Sequence, residues 1–406
     1  MQKFSNEAKP ATRKAREDRF QYHDYFGVDE LLSEEHLLAR QAVRDWVKAE
    51  VTPIIEDYAE RAACPTHLFK GLAEIGAFGP SLPAKYGCGG MDEIAYGVIM
   101  QELERGDSGV RSMASVQGSL VMYPIYRFGS EEQKKYYLPK LASGELIGCF
   151  GLTEPDHGSN PSGMLTNIKD DGNAYILNGA KMWITNSPLA DIAVVWAKDE
   201  SGKIRGLIVE KGMKGFSAPE IHGKWSLRAS ITGELIFEDV RVPKKNLLPE
   251  AAGLKGPLSC LSKARYGIAW GVIGAALDCY DTALRYSQER IQFGKPIGAF
   301  QLTQKKLAEM ITEITKAQLM AWRMGTLANS GKVTPEQISM AKRNNVNMAL
   351  VVARESRQIL GGMGITNEYP IMRHMMNLET VLTYEGTHDI HLLITGHDIT
   401  GFNAFS

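Results

Sequence analysis

Ile192-Ala-Val-Val-Trp-Ala-Lys-Asp-Glu-Ser-Gly-Lys-Ile-Arg-Gly-Leu-Ile-Val-Glu210 sets two short apolar runs on either side of the turn cluster Asp199-Glu200-Ser201-Gly202. Short runs rich in Val and Ile, punctuated by Asp, Ser and Gly, read as consecutive strands with too little chain between them for a crossover helix. Similar runs at 174–178 and 235–242 lie in the same zone, near Asp170-Asp171-Gly172 and Glu210-Lys211-Gly212. Strands so spaced, with no helices between them, predict an antiparallel sandwich or barrel over about 148–249 rather than βαβ units.

On both flanks the period becomes helical. Ser33 is placed to cap a helix carrying Leu38, Ala42, Val43, Trp46 and Val47 on one face, with Pro53 just past its end. Ser130 and Gln133 have the spacing of a capping box, and Gly87, Gly89 and Gly90 mark a loop. After Gly256 four long helices are predicted near 257–291, 300–328, 335–360 and 370–384, and a last short one after Thr387. Long amphipathic helices with short connections pack as a bundle. The expected fold is therefore α+β multidomain: a 1–28 tail, a 29–146 N-terminal helical domain, a 147–255 middle antiparallel β-domain and a 256–406 C-terminal four-helix bundle.

Composition narrows the function classes. The 406 residues are 44% hydrophobic and 23% charged, an ordinary globular balance in a chain longer than one core usually grows. With 46 basic and 47 acidic side chains the net charge is −1, so the basic excess of a general nucleic-acid binder is missing, although a local basic pocket is still permitted. Cys64, Cys88, Cys149, Cys260 and Cys279 show no CxxC spacing, which argues for a reducing compartment and against a disulfide framework or zinc knuckle. The longest apolar run, near 193–197, is far too short to span a bilayer. Lys9, Arg13, Lys14, Arg16 and Arg19 are interrupted by Glu7, Glu17 and Asp18 and lack an apolar core, so they read as a solvated basic tail. A bacterial cytoplasm is expected ahead of a mitochondrial matrix.

Neither GxGxxG after a strand nor GxxxxGK[ST] occurs, which disfavours a Rossmann site and a P-loop. Gly361-Gly362-Met363-Gly364 reads as a helix stop with positive φ. The segment from Phe150 through Leu152, Thr153 and Gly158 to Ser159 is polar and glycine-bearing, so a ligand could approach its backbone; an ordinary interdomain loop is the plainer alternative. Trp183-Ile184-Thr185-Asn186 ends a β run, and its indole could stack on a flat ring, though a core tryptophan is commoner.

Tyr384-Glu385-Gly386-Thr387-His388-Asp389 is the most suggestive stretch. Glu385 precedes a glycine that stops one helix, and Thr387 can cap the next. A carboxylate at such a junction inside a bundle can be desolvated, which raises its pKa towards that of a general base; a solvated helix-end glutamate is the alternative. Glu385 and His388 also form Glu-x-x-His, but the second copy that a di-iron site needs, Glu154 to His157, is broken by Pro155. No metal is expected, and His388 and His391 are expected to face polar partners or solvent. Arg111 lies among Ser108, Ser112, Ser115 and Ser119, a guanidinium fork with hydroxyls that could bind a carboxylate; Glu104 is expected to pair with Arg111 or Arg105. Arg290-Ile291-Gln292-Phe293-Gly294, followed by Gln301, reads locally as a helix end and turn.

Taken in order, Phe-Gly-Leu-Thr-Glu-Pro at 150–155, Trp-Ile-Thr at 183–185, Arg-x-Gln-Phe-Gly at 290–294, Gly-Gly-x-Gly at 361–364 and Tyr-Glu-Gly-Thr at 384–387 resemble the acyl-CoA dehydrogenase family from about residue 30 to 406. The stretches at 102–112, 264–271 and 384–391 most resemble its glutaryl-CoA dehydrogenase branch. Val110 stands where an aromatic is often seen, Asn160 replaces a common aspartate, and Asp156-His157 varies a polar pair. The resemblance implies non-covalent FAD, lined by Phe150, Leu152, Thr153, Gly158, Ser159, Trp183, Ile184 and Thr185. Arg290 and Gln301 would reach its adenosine diphosphate across a subunit boundary, with Gln292, Phe293, Gln358 and Gly362 also contributing. Thr387, His388, Asp389 and Phe405 would complete the cofactor site.

It further implies acyl-CoA contacts at Ser159, Tyr384, Gly386 and from Leu258 to Arg265. Glu385 would be the base, and Arg111, Ser112 and Ser115 would hold a distal carboxylate, with Glu104 orienting Arg111. The implied reaction is dehydrogenation of glutaryl-CoA with decarboxylation to crotonyl-CoA, electrons passing to electron-transferring flavoprotein, in a homotetramer with no nucleic-acid or membrane partner. A short-chain or non-decarboxylating dehydrogenase is the alternative, and a non-catalytic helical protein of the same fold is a remote one.

Overall fold

Residues 23–405 are described in a computed structural model of the chain, and the basic run between Lys9 and Arg19 lies outside them. The first helical part opens with α1 (Glu34–Trp46), whose N-cap Ser33 accepts from His36 N, and it runs on into a wider turn, Val47–Val51. It continues through α2 (Ile55–Arg61), α3 (Leu68–Glu74), α4 (Glu93–Gly106), α5 (Ser108–Ser115), α6 (Tyr123–Phe128) and α7 (Glu131–Ala142). The capping box read from Ser130 and Gln133 opens α7, its two reciprocal bonds satisfying backbone N–H groups that the first turn would otherwise leave unpaired.

The middle part is one curled sheet: β1 (Gly148–Gly151), β2 (Asn167–Asp170), β3 (Ala174–Thr185), β4 (Ile192–Lys198), β5 (Ile204–Glu210), β6 (Phe216–Ser217) and β7 (Thr232–Pro243). Neighbours run β1-β4-β2-β3-β7-β6, with β5 paired to the other side of β4. Most pairs are antiparallel, as expected, but β1 lies parallel to β4, Gly148 opposite Ile192, and a single parallel pair joins β2 to β4. The sheet is therefore mixed. The chain between β1 and β4 is taken up by β2 and β3, so the pair closes by a long crossover instead of a hairpin.

The continuous apolar run of β4 has a simple cause: it is buried on both faces. Ile192, Val194 and Trp196 pack towards the helices, while Ala193, Val195 and Ala197 face the sheet's own core with Cys149, Leu207 and Phe237, the period-two alternation of a strand.

The last part contains α8 (Lys255–Glu289), a small hairpin of β8 (Ile291–Gln292) and β9 (Lys295–Pro296), α9 (Gln301–Asn329), α10 (Pro335–Leu360), α11 (Ile371–Thr383) and α12 (His388–Thr400). Thr334 and Gln337 make a capping box with Pro335 at the first position of α10, and Gly361, at φ +58°, stops it. α8 packs against α4, α9 and α10 and so ties the two helical parts together. Gly271 on α8 faces Glu104 on α4 so closely that a side chain there would collide with Oε2. No described helix is long and apolar enough to cross a membrane.

Candidate active site

α11 ends at Thr383, and the next residues turn sharply. Tyr384 is extended, Glu385 and Gly386 have φ of +53° and +97°, and Thr387 Oγ1 accepts from Ile390 N to cap α12. Left-handed geometry is free for glycine but costs about 1 kcal/mol or more for a glutamate, so neighbours must hold it. Arg265 Nε donates to Glu385 O at 2.6 Å, and Lys342 Nζ donates to Tyr384 O at 3.1 Å and Gly386 O at 2.9 Å. The carboxylate behaves differently from this backbone: Oε2 is buried with no partner. Burial pushes the Glu385 carboxyl up to about 7, although Arg111, Arg265 and Lys342 each pull the other way.

Arg111 is 1% exposed and stands on α5 beside this turn. Its Nε donates to Glu104 Oε2 at 2.7 Å, its Nη2 donates to the Tyr384 hydroxyl, and its guanidinium lies 5.6 Å from the Tyr384 ring centre. Glu104 thus pairs with Arg111, and Arg105 lies 3.9 Å from Asp281 instead. Burial works against the Arg111 cation, but Glu104 and Tyr384 outweigh it and keep the guanidinium charged. Around this pair several buried atoms lack partners: Glu104 Oε1 and the hydroxyls of Ser108 and Ser112; Ser119 is instead bonded to Tyr96 at 2.7 Å. Buried hydroxyls are normally satisfied, so unpaired ones on the helix that carries Arg111 are suited to ligand oxygens.

One carboxylate locks the frame. Asp107 Oδ1 caps α5 through Gly109 N at 2.6 Å, while Oδ2 accepts from Arg373 Nη1 at 2.6 Å and Asn377 Nδ2 at 2.8 Å on α11. The helix that carries Arg111 and the helix that leads to Glu385 are therefore joined at a single buried residue.

On the sheet side, Trp183 contradicts the commoner expectation of a core indole. It is 55% exposed at φ +62°, within the register shift between Lys181 and Ile184 that turns it out of the sheet. Thr185 is half-buried two residues on, Thr153 is half-buried with its carbonyl accepting from Met182 N at 2.9 Å, and Gly158 and Ser159 are exposed. The side chains of Phe150, Leu152 and Ile184 are buried in the cores, Phe150 against Trp196 at 6.2 Å, so they offer a ligand backbone at most. Glu154 is structural: its oxygens accept from Lys181 Nζ at 2.9 Å, Thr166 N at 2.9 Å and Leu165 N at 2.6 Å.

The remaining residues implied by the resemblance fall into two groups, some on exposed segments far along the chain from Glu385 and some beside its turn. Arg290, Gln292, Phe293 and Gln301 sit exposed on the β8–β9 hairpin and the start of α9, Phe293 at 93%. Gln358 is exposed on α10 and accepts from Lys306, and Gly362 and Phe405 are exposed. Leu258 is half-buried on α8, Asp389 is exposed, and His388 is half-buried with Nδ1 unpartnered. His391 answers the expectation of polar partners or solvent with the first alternative, since it is shut off from solvent. It is fully buried against the Gly386 backbone, and burial first, then the Lys342 and Arg265 charges, hold it neutral at about 3.

Sequence reasoning missed Lys342, Asp107 and the burial of His391. Lys342 carried a signal: it lies four residues from Ile338 and from Val346 on the buried stripe of α10, where a lysine interrupts an apolar face.

The sequence matches the family descriptions "Acyl-CoA dehydrogenase, N-terminal domain" over 33–145, "middle domain" over 149–240 and "C-terminal domain" over 251–399. It is similar to a glutaryl-CoA dehydrogenase from Mycobacterium smegmatis solved in complex with FADH2, 51% identical, covering 94% of this chain and 98% of that one, with a TM-score of 0.92. It is also similar to the butyryl-CoA dehydrogenase of Megasphaera elsdenii, 34% identical over 91% and 98% of the two chains, with a TM-score of 0.88. The mitochondrial short-chain specific acyl-CoA dehydrogenase of Rattus norvegicus is 35% identical over 92% of each chain.

Proposed function

Because the chain belongs to the acyl-CoA dehydrogenase family, we propose that it is an FAD-dependent dehydrogenase of short acyl-CoA thioesters ending in a carboxylate, with glutaryl-CoA converted to crotonyl-CoA and CO2. One observation carries the substrate: Arg111, buried, paired with Glu104 and on the helix that carries the unpartnered Ser112 hydroxyl, touches Tyr384, the residue before Glu385. A guanidinium already paired with Glu104 and sharing its helix with a free hydroxyl donor suits a second, ligand carboxylate. The 51% identity to a glutaryl-CoA dehydrogenase supports the same substrate.

The residues present fit FAD. The exposed Trp183 indole suits a flat ring system, and the unpartnered His388 Nδ1 at the start of α12 offers a hydrogen-bonding group. Thr153, Gly158, Ser159, Trp183 and Thr185 from the sheet and Thr387, His388 and Asp389 from α12 would hold it. Phe150, Leu152 and Ile184 would contribute backbone. Arg290, Gln292, Phe293, Gln301, Gln358, Gly362 and Phe405, all exposed, would serve the FAD of a second copy in a homotetramer. Bound FAD supplies the acceptor for the two electrons that leave the β-carbon.

The protein's part is proton transfer and charge placement. Glu385, near 7, is ionised in a useful fraction at neutral pH and basic enough to take the α-proton of a thioester. Leu258, Arg265 and Gly386 border the space for the acyl-CoA. The unpaired Oε2 is the atom that would receive the proton. Arg111, Ser112 and Ser115 would hold the distal carboxylate, and Glu104 would fix the guanidinium plane. Once CO2 leaves, the protonated Glu385 is the acid beside the dienolate and can return a proton at the γ-carbon. Electron-transferring flavoprotein as acceptor and a bacterial cytoplasm belong to the same reading.

Turnover of labelled glutaryl-CoA with an artificial acceptor tests this: crotonyl-CoA and CO2 should appear in equal amounts. Glutaconyl-CoA without CO2 would establish the non-decarboxylating alternative. Oxidation of butyryl-CoA alone would establish the short-chain reading, which the similarity to short-chain and butyryl-CoA dehydrogenases supports.

A further inference from the structure

Lys342 lies on α10 and is none of the residues given a part in binding or proton transfer above. Its side chain is 1% exposed, and Nζ donates to Gly386 O at 2.9 Å, Tyr384 O at 3.1 Å and Leu382 O at 3.5 Å. An ammonium has three protons. All three point at carbonyls, two flanking Glu385 and one at the C-terminal end of α11, where the helix dipole favours a cation. Among the described residues no carboxylate lies within ion-pair distance of Nζ.

This is a costly place for a lysine. Arg265 on α8 and Arg111 on α5 repel it, His391 and His388 on α12 lie on the same side, and Glu104 on α4 is engaged by Arg111. Burial first, and then those arginines, lower Lys342 to about 7, with the Glu385 charge opposing. A methionine would fill the same space at less cost unless the charge or the three hydrogen bonds were needed.

The turn supplies the need. Arg265 grips only the Glu385 carbonyl, so without Lys342 the carbonyls on either side lose their donor, and the left-handed glutamate has little to hold it. We propose that Lys342 is a positioning residue for the base: its ammonium clamps the carbonyls on both sides of Glu385, fixing the turn that presents the carboxylate, and supplies the positive charge that keeps that carboxylate ionised before it takes a proton. This rests on Glu385 being the base.

The test uses the FAD-loaded enzyme and two variants, Lys342→Gln and Lys342→Arg, followed by substrate-driven bleaching of the flavin across pH. A nearby cation favours an ionised carboxylate, so its loss moves the ionisation of Glu385 to higher pH, by about one unit. Lys342→Gln should bleach at least about fivefold more slowly at pH 7, regain that factor as pH rises, and leave KM within about threefold. Lys342→Arg should keep the limb at its wild-type pH. An unmoved limb in Lys342→Gln overturns the proposal, whether the rate is normal or low at every pH; the second pattern is what a merely structural lysine gives. Should Lys342→Gln fail to load FAD, Lys342→Arg decides, since a displaced limb there sinks the proposal and a retained one upholds it. Turnover by Glu385→Gln would remove the base assignment itself and is read separately.

Discussion

Two glutamates, one beside the sheet and one between two helices, meet opposite fates. Glu154, at the start of the sheet, is enclosed by Lys181 and the backbone N–H groups of Leu165 and Thr166; burial works against its charge, but these partners outweigh it and hold the carboxyl at about 2. Glu385, in the turn between α11 and α12, has cations nearby but no donor on Oε2, and burial takes it up to about 7. The sheet closes around its charged pair and leaves nothing for a ligand to do. The helical side grips the backbone of its turn and leaves the side chain unmet. Stability and reactivity thus separate by where the hydrogen bonds go: to the carboxylate in one region, to the carbonyls in the other.

The largest expected break in this contrast is chemical. Glu385→Gln should lose about 10³-fold or more in turnover while keeping FAD, because an amide cannot accept the α-proton. Flavin absorbance that still bleaches at the wild-type rate on adding glutaryl-CoA would move the base elsewhere. Glu154→Gln should do the reverse. It strands Lys181 in the sheet core and should cost about 3 kcal/mol of stability by chemical denaturation, with kcat per folded FAD-loaded enzyme unchanged.

Arg111→Ala sharpens the picture on substrate choice. It should lower kcat/KM for glutaryl-CoA by about 10²-fold and for butyryl-CoA by much less, since only the first substrate has a distal carboxylate to leave unpaired. Equal losses on both would refute Arg111 as the carboxylate's partner.

The smallest effect is thermodynamic. The folded carboxyl of Glu385 lies above its unfolded value, so its favourable contribution is complete below about 4.5 and is lost as pH rises through about 7. Glu385→Gln should therefore be about 1–2 kcal/mol more stable than wild type at pH 8, a modest figure because the residue keeps some solvent contact, and the gain should vanish by pH 4. A constant difference across that range would mean that burial does not set the pKa.

Much of this was legible beforehand. The helical stop at Gly361, the caps at Ser33, Ser130 and Thr387 and the strands on either side of Asp199 follow from local chemistry, and they appear where the residues place them; α11 ends at Thr383, ahead of the expected stop at Gly386. The suspicion that Glu385 is desolvated also came from sequence, because a carboxylate between two helix ends has few ways to reach water. What stayed hidden was pairing at long range. Nothing local says that Glu104 takes Arg111 and leaves Arg105 near Asp281, that Arg373 reaches Asp107, or that β1 lies parallel to β4. The burial of His391 stayed hidden for the same reason: a histidine near the start of a short helix can face polar partners or solvent, and only the packing of α12 on α10 decides.

The order of residues alone settled the sequence of helical, β and helical parts and the turn at 384–387, since periodicity, caps and positive-φ positions act within a few residues. Only the folded chain settled which charges are answered and which are left open. That depends on distances between segments far apart along the backbone, and burial raises or lowers a carboxyl according to partners that no neighbouring residue announces.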